Sequence, residues 1–388
     1  MTGRALPALI DEAAIVVCCG SGGVGKTTTA AALGVEGARR GRRVCVVTID
    51  PAKRLADALG VAELGNEPSR MSGDWAGELW SVMLDTRTTF DALVARHAGT
   101  PEQAEGILSN RLYRNIAGAL SGTQEYMAME KLYELHEAGR FDLIVVDTPP
   151  TRNALDFLDA PRRLSRFLDN RVFRILITPT RAYLRAVSVA SQTFLRTVSK
   201  VVGSEVIGDA IAFFRAFEGM EEGFRNRAEE VRGLLAGDTT AFVLVATPRR
   251  DAVAEAHFFA DRLREGGIVV QALVVNRVHP RFGGAGTAAT DRAHAVSLAA
   301  LPGGAALAAF YRSRAELAEV AEREHEHFAA LAADVAPAPV VAVPFLADDV
   351  HDLAGLTEVA RHLVAAPDAG HTPRAGETPV GDTPVPST

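Results

Sequence analysis

The 388-residue chain has only three cysteines, Cys18, Cys19 and Cys45, two of them adjacent inside one apolar run. They give no disulfide framework, and no C-x-x-C pair is present. No uninterrupted apolar run reaches the ~18 residues that a membrane-spanning helix needs. The first twelve residues, Met1 to Glu12, carry acid where a secretory signal needs an apolar segment. Basic residues are not in excess either. Forty-one Lys and Arg stand against 48 Asp and Glu, a formal net charge of −7, which argues against a general nucleic-acid footprint. These absences predict a cytoplasmic protein with no integral membrane segment and no nucleic-acid partner. Apolar residues make up 48 % of the chain, enough for a sizeable core. The length suits two average domains, or one large α/β domain with insertions.

One stretch organises the rest. Ile15 to Cys19 is a short apolar run that reads as a buried strand, and Ala-rich sequence from Thr28 onward reads as a helix. Between them Gly20-Ser21-Gly22-Gly23-Val24-Gly25-Lys26-Thr27 fits the phosphate-binding pattern G-x-x-x-x-G-K-[ST]. Four glycines let the backbone turn its N–H groups inward, and the helix N-terminus adds positive potential for a polyphosphate. In this pattern Lys26 reaches the β- and γ-phosphates, and the Thr27 hydroxyl meets Mg2+. Strand, glycine loop and helix in that order set the pattern apart from a chance glycine-rich turn.

The remainder alternates strand and helix. Arg43–Ile49 reads as a second buried strand that ends at Asp50-Pro51, and Pro51 keeps Asp50 out of a helix. Asp50 thus stands at the carboxyl edge of the sheet, where ligands sit in open parallel sheets, although an N-cap for the helix 52–59 suits it too. Residues 61–79 read as loop, 80–84 as a short strand, and Asp85 or Thr86 as the cap of the next helix. The run from Pro101 to Gly139 is helical, with a break at 121–125. Phe141–Asp147 is a strand in which four apolar residues lead into an aspartate, as in a Walker B segment, and Asp147 then orients a water on the Mg2+ or the nucleophile. Thr148 to Pro161, directly after it, suits a segment that senses the γ-phosphate.

Residues 162–236 show no strand, and their apolar positions recur at helical spacing. They read as an inserted helical layer, whose apolar face serves either packing or a client groove. Residues 240–247 and 267–276 read as strands, and the amide of Asn276 at the strand end is placed either to meet a purine ring or to make a turn. Residues 280–305 are rich in Gly and Ala and read as mobile. An amphipathic helix is expected over about 308–333. Its His325 and His327 lie two apart, off a common face, which argues against a metal pair. A last strand (339–344) and helix (348–364) precede a low-complexity Pro/Thr-rich tail. The expected organisation is a leader (1–12), one α/β P-loop ATPase domain (13–365) and a disordered tail (366–388). In that domain a mostly parallel doubly wound sheet carries helical insertions at about 86–139 and 162–236.

Several segments together resemble the arsenite-pump and tail-anchored-protein-targeting ATPase family, within the deviant Walker A ATPases. Its loop G-K-G-G-V-G-K-T is matched by Gly20 to Thr27, and its first switch T-D-P-A-H-S-L-S-D-A-F by Ile49 to Leu59. The second switch, D-T-A-P-T-G-H-T-L-R-F-L, is matched without a gap by Asp147 to Leu158, and the P-G-x-D-E-A-M-A loop by Ser121 to Ala128. The chain is similar in particular to the single-domain actinobacterial proteins called anion-transporting ATPases, bacterial relatives of the tail-anchored targeting factor. The resemblance implies a nucleotide-gated dimer that binds ATP and Mg2+ and holds a hydrophobic protein client. It implies that Asp50 activates the attacking water and Asp147 supports the Mg2+ site. Residues Gly20 to Thr28 would hold the phosphates, and Asn276, Pro344 and Phe345 the adenine. The metal contacts implied are Thr27, Asp50 and Asp147.

The chain also departs from that family. The signature lysine, which reaches across the dimer to the partner's nucleotide, is Ser21 here, and the second-switch histidine is Asn153. The zinc-binding C-x-x-C and the metalloid-binding cysteines are missing. A homodimer would lack the cross-dimer cation at both sites. The expectation is a slow ATPase, or one completed by a paralogous subunit that keeps the lysine. Arg42, Arg54 and Arg152 are the candidates to replace the charge. The alternatives are a partitioning or positioning ATPase of the same superclass, an ATP-binding regulatory subunit with little turnover, and a small-molecule ligase or kinase on the same loop.

Overall fold

Strands buried on both faces need continuous apolar sequence, and the Val- and Ile-rich runs meet that need. The computed structural model describes residues 5–49, 54–59, 64–111, 113, 123–148, 212–213, 216, 219–280 and 288–365. In chain order the elements are α1 (Leu6–Glu12), β1 (Ile15–Cys19), α2 (Lys26–Arg39), β2 (Arg43–Thr48), α3 (Arg54–Leu59), β3 (Ser69–Met71) and β4 (Glu78–Met83). Then come α4 (Thr86–His97), α5 (Pro101–Leu108), α6 (Thr123–Glu137), β5 (Leu143–Asp147), α7 (Glu221–Ala236) and β6 (Thr240–Ala246). The last are α8 (Arg250–Glu265), β7 (Val270–Val278), α9 (Ala288–Ala299), α10 (Ala305–Asp334), β8 (Val340–Pro344) and α11 (Leu353–Val364).

The eight strands form one sheet in the order β3-β4-β2-β5-β1-β6-β7-β8. Every pairing is parallel except β3 with β4. From β1 the chain steps to one side for β2, and after β5 it steps to the other for β6. That reversal puts a crevice at the carboxyl ends of β1 and its neighbours, where ligands bind such sheets. Alternate residues of each strand feed two cores. Val16, Cys18, Val44 and Val46 pack under α1, α2 and α11. Ile15, Val17, Cys45 and Val47 pack under α6, α7, α8 and α10. Two glycines bring α2 close to the sheet, since a Cβ on Gly34 would lie 2.4 Å from Val46 Cγ2. This is the expected doubly wound α/β fold, and no helix among the described residues is long and apolar enough to cross a membrane.

Three expectations need correction. Residues 61–79 are not all loop: Ser69–Met71 adds an antiparallel edge strand, with Arg70 Nη2 3.2 Å from Glu78 Oε1. The expected leader, 1–12, is not among them; its Leu6, Leu9 and Ile10 are buried in α1, which packs on α2 and α11. Residues 288–299, expected to be mobile, form α9 against α10. There the buried Asp291 accepts from Arg314 Nε at 2.7 Å. The cap expected at Asp85 is present, its Oδ1 accepting from the Thr88 N–H at 2.7 Å. Of the helical insertion at 162–236, α7 is described, and the buried Arg227 pins it to Glu130 of α6 at 2.8 Å. The break expected at 121–125 is not seen at Thr123–Glu125, which already belong to α6. Its residues 121–122, the apolar positions between 162 and 211, the second switch from 149 onward and the tail lie outside the described residues.

Candidate functional site

The glycine loop leaves β1 at the middle of the sheet. Gly20 has φ +148°, and a Cβ there would lie 2.1 Å from the Val245 carbonyl oxygen of β6. Gly25, the N-cap residue of α2, has φ +94°, and a Cβ there would lie 2.2 Å from Asn276 Nδ2. Only glycine satisfies both constraints at these two places. Gly25 brings no side-chain cap, so the first N–H groups of α2 remain for an anion. Lys26 is buried, and its Nζ donates to the Ser21 carbonyl at 2.8 Å, curling the loop over itself.

Three strand ends converge beside the loop. Asp147 closes β5 in register with Cys18 and Thr48, and it is fully buried. Its Oδ2 accepts from Thr27 Oγ1 at 2.8 Å and from Thr48 Oγ1 at 2.9 Å. Thr27 and Asp147, far apart in sequence, therefore meet. Thr48 joins them, and sequence reading passed over it. No signal along the chain marks it, because only the register of β2 against β5 sets it beside Asp147. Thr148 donates to the Cys18 carbonyl at 2.8 Å. A hydroxyl and a carboxylate are hard oxygen donors, which fits Mg2+ held by one or two protein groups with phosphates and water. Among the described residues no three His, Cys, Asp or Glu side chains converge on a metal site. Asp50 lies outside the described residues.

Two clefts flank the loop. One, of about 480 Å3, is lined by Gly23, Gly25, Lys26, Thr27, Thr28 and Thr148 together with Asp57, Arg277 and Val350. The other, of about 470 Å3, is lined by Ser21, Gly22, Gly23 and Val24 facing Arg249, His279 and Phe345. Both lie in the size range of small-ligand sites. Asn276 stands between loop and sheet edge, where its Nδ2 donates to the Val24 carbonyl at 2.9 Å. Pro344 ends β8 opposite Val278. Phe345 follows, 58 % exposed and stacked on His279. Of the replacement cations, Arg42 is excluded by position. It binds the carbonyls of Ile10 and Asp142, at the amino edge of the sheet. The Arg54 side chain and Arg152 lie outside the described residues. Arg277, not singled out in sequence, reaches the loop instead, with Nη1 3.5 Å from the Gly23 carbonyl.

The cysteines belong to the packing. Burial pushes the thiols of Cys19 and Cys45 up to about 12, against the opposing pull of Lys26 on Cys19 and of Lys131 on Cys45. Burial, and then the Asp147 carboxylate, raise Cys18 as well. In the unfolded chain these thiols ionise at about pH 8.5. The unfolded state therefore loses protons that the folded state keeps, and stability falls as pH rises from about 8.5 towards 12. The expected slope is about 1.4 kcal/mol per pH unit for each thiol. Denaturant titrations at pH 8 and 10 check this, with Cys45→Ala expected to flatten the slope. Equal slopes in both proteins would assign the alkaline loss to other groups.

A family model described as anion-transporting ATPase matches residues 13–282. Similar proteins include ATPase GET3 of Malassezia globosa, 26 % identical over 273 residues, covering 70 % of this chain and 75 % of that protein. A putative arsenical pump-driving ATPase 2 of Aquifex aeolicus is 26 % identical over 269 residues, covering 67 % and 79 %. ATPase ARSA1 of Chlamydomonas reinhardtii is 27 % identical over 278 residues, covering 67 % of this chain. The aligned part spans 34 % of that algal protein.

Proposed function

The chain belongs to the anion-transporting ATPase family, and from that premise we propose that it binds Mg-ATP in the cleft beside Lys26 and hydrolyses it. The observation that carries the reading is the meeting of Thr27, Thr48 and Asp147 under a glycine loop that already curls around the Lys26 ammonium. The amides of Gly20 to Thr28 cradle the phosphates. Lys26 moves from the Ser21 carbonyl to the β,γ oxygens. Thr27 and Asp147, with Asp50, would hold magnesium, which when bound would supply charge neutralisation on the phosphoryl oxygens. Asp50 accepts the proton of the attacking water. Asn276, Pro344 and Phe345 border the adenine. A loose phosphoryl transition state needs positive charge and a placed water more than covalent chemistry, and these residues supply both.

Attachment or loss of the γ-phosphate acts on the segments that follow Thr48 and Asp147, and so opens and closes a dimer. The dimer is either a homodimer or a pair with a paralogous ATPase. The work done is that of a chaperone or targeting factor with a hydrophobic protein client, as the family resemblance suggests. A second reading, a regulatory subunit that binds ATP with little turnover, is favoured by Ser21 at the signature-lysine position. Calorimetry with Mg-ATP and single-turnover phosphate release on the full chain test the proposal. Binding with release of one phosphate per site supports the ATPase, binding without release supports the regulatory subunit, and no heat removes both.

A further inference from the structure

Arg277 has φ +60° and is the one non-glycine among the described residues in the left-handed region. An arginine is held there only by its surroundings. The β7–β8 ladder breaks register between Asn276 and Val278, and an irregularity of that kind re-aims a side chain. Asn276 fixes the turn. Its Oδ1 accepts from the Arg277 N–H at 3.0 Å while its Nδ2 holds the Val24 carbonyl at 2.9 Å. The guanidinium folds back to the loop at Gly23 and lines both clefts, the wall between them. It is exposed, and no carboxylate among the described residues pairs with it.

Position decides what this cation meets. In the sheet, β7 lies two strands from β1. At 4.7–4.9 Å per strand that is roughly 10 Å. A triphosphate seated on Lys26, Thr27 and Asp147 has its charged end over β1 and β5, and the cleft that runs from Gly23 and Val24 past Arg277 to His279 and Phe345 offers its sugar and base room on the β7 side. A guanidinium is planar and weakly hydrated, and it stacks on aromatic rings. We propose that Arg277 clamps the purine nucleoside end of the nucleotide, its plane packed on the base and one edge tied to the Gly23 carbonyl. The clamp rests on the ATPase reading above. It adds a direct link from base to phosphate loop through the Gly23 carbonyl.

Asparagine tolerates the left-handed region, so Arg277→Asn keeps the turn while removing the plane and the charge. The full chain and this variant are titrated calorimetrically with Mg-ATP, Mg-ADP and Mg-tripolyphosphate, with melting in the absence of ligand as the check on folding. Arg277→Asn is expected to weaken ATP and ADP alike, by about fivefold to tenfold, and to leave tripolyphosphate unchanged. A loss shared by tripolyphosphate, or one confined to ATP, makes Arg277 a phosphate ligand and overturns the clamp. Unchanged affinities overturn it too, with the ATPase reading intact. If the wild type takes up no nucleotide, the ATPase reading falls and the clamp falls with it.

Discussion

Single-turnover ATP hydrolysis by this chain alone is expected to be about 10^3-fold or more slower than in an equimolar mixture with a paralogue that keeps the signature lysine. A cation brought to the phosphoryl oxygens in the transition state is worth roughly 10^3 to 10^5 in rate, and Ser21 has none to offer. The backbone at this position already serves the chain, because the Ser21 carbonyl holds Lys26. Ser21→Lys therefore leaves that contact in place. The new side chain has the second cleft, about 470 Å3, to run along. In a mixed pair the paralogue's lysine completes the site of this chain, and Ser21 leaves the other site incomplete. Half of the bound ATP should then turn over quickly and half slowly. Ser21→Lys on its own should recover rate at both sites. It should do so with a dependence on protein concentration, since the lysine acts on the partner. A fast rate in the unmixed wild type, flat with concentration, overturns this.

How much of this was visible in the sequence depends on how local each feature is. The buried strands are legible because a strand covered on both faces has to be apolar along its length, as Ile15–Cys19 is and as Leu143–Val146 is up to the aspartate that ends β5. The glycine loop is legible because its chemistry is contained in eight consecutive residues. β3 was not, because three residues, Ser69–Met71, carry no alternation and owe their form to the neighbouring β4. α9 was not either, because its Ala, Thr and Ser residues have little periodicity and it is fixed by the ion pair of Asp291 with α10. Within the site, Thr48 depends on the register of β2 against β5, and Arg277 on an irregularity between β7 and β8. Neither can be counted along the chain. Arg42 shows the opposite error. It directly precedes β2, so it had to lie at the amino edge, away from the loop, and strand direction alone could have removed it.

Lys26→Ala is expected to abolish measurable Mg-ATP binding. Two charge-assisted hydrogen bonds to the β- and γ-phosphates, each worth about 1.5–3 kcal/mol, amount to roughly 10^2- to 10^4-fold in affinity. The same substitution should leave the unliganded protein within about 1 kcal/mol of the wild type, for the loop is shaped by other groups. Its turns belong to Gly20 and Gly25, and its far side is held by Asn276 on the Val24 carbonyl. Moreover, a buried ammonium is costly to desolvate, so its removal offsets what the bond to Ser21 contributed. Nucleotide should then separate the two proteins. At a hundred times its Kd, Mg-ATP stabilises the wild type by about 2.7 kcal/mol through mass action, and the variant gains nothing. Denaturant midpoints with and without Mg-ATP read this directly. If both proteins shift equally, the ligand sits elsewhere and the loop is only a turn. If the variant is unstable without ligand, Lys26 holds the loop, and the affinity loss no longer measures a phosphate contact.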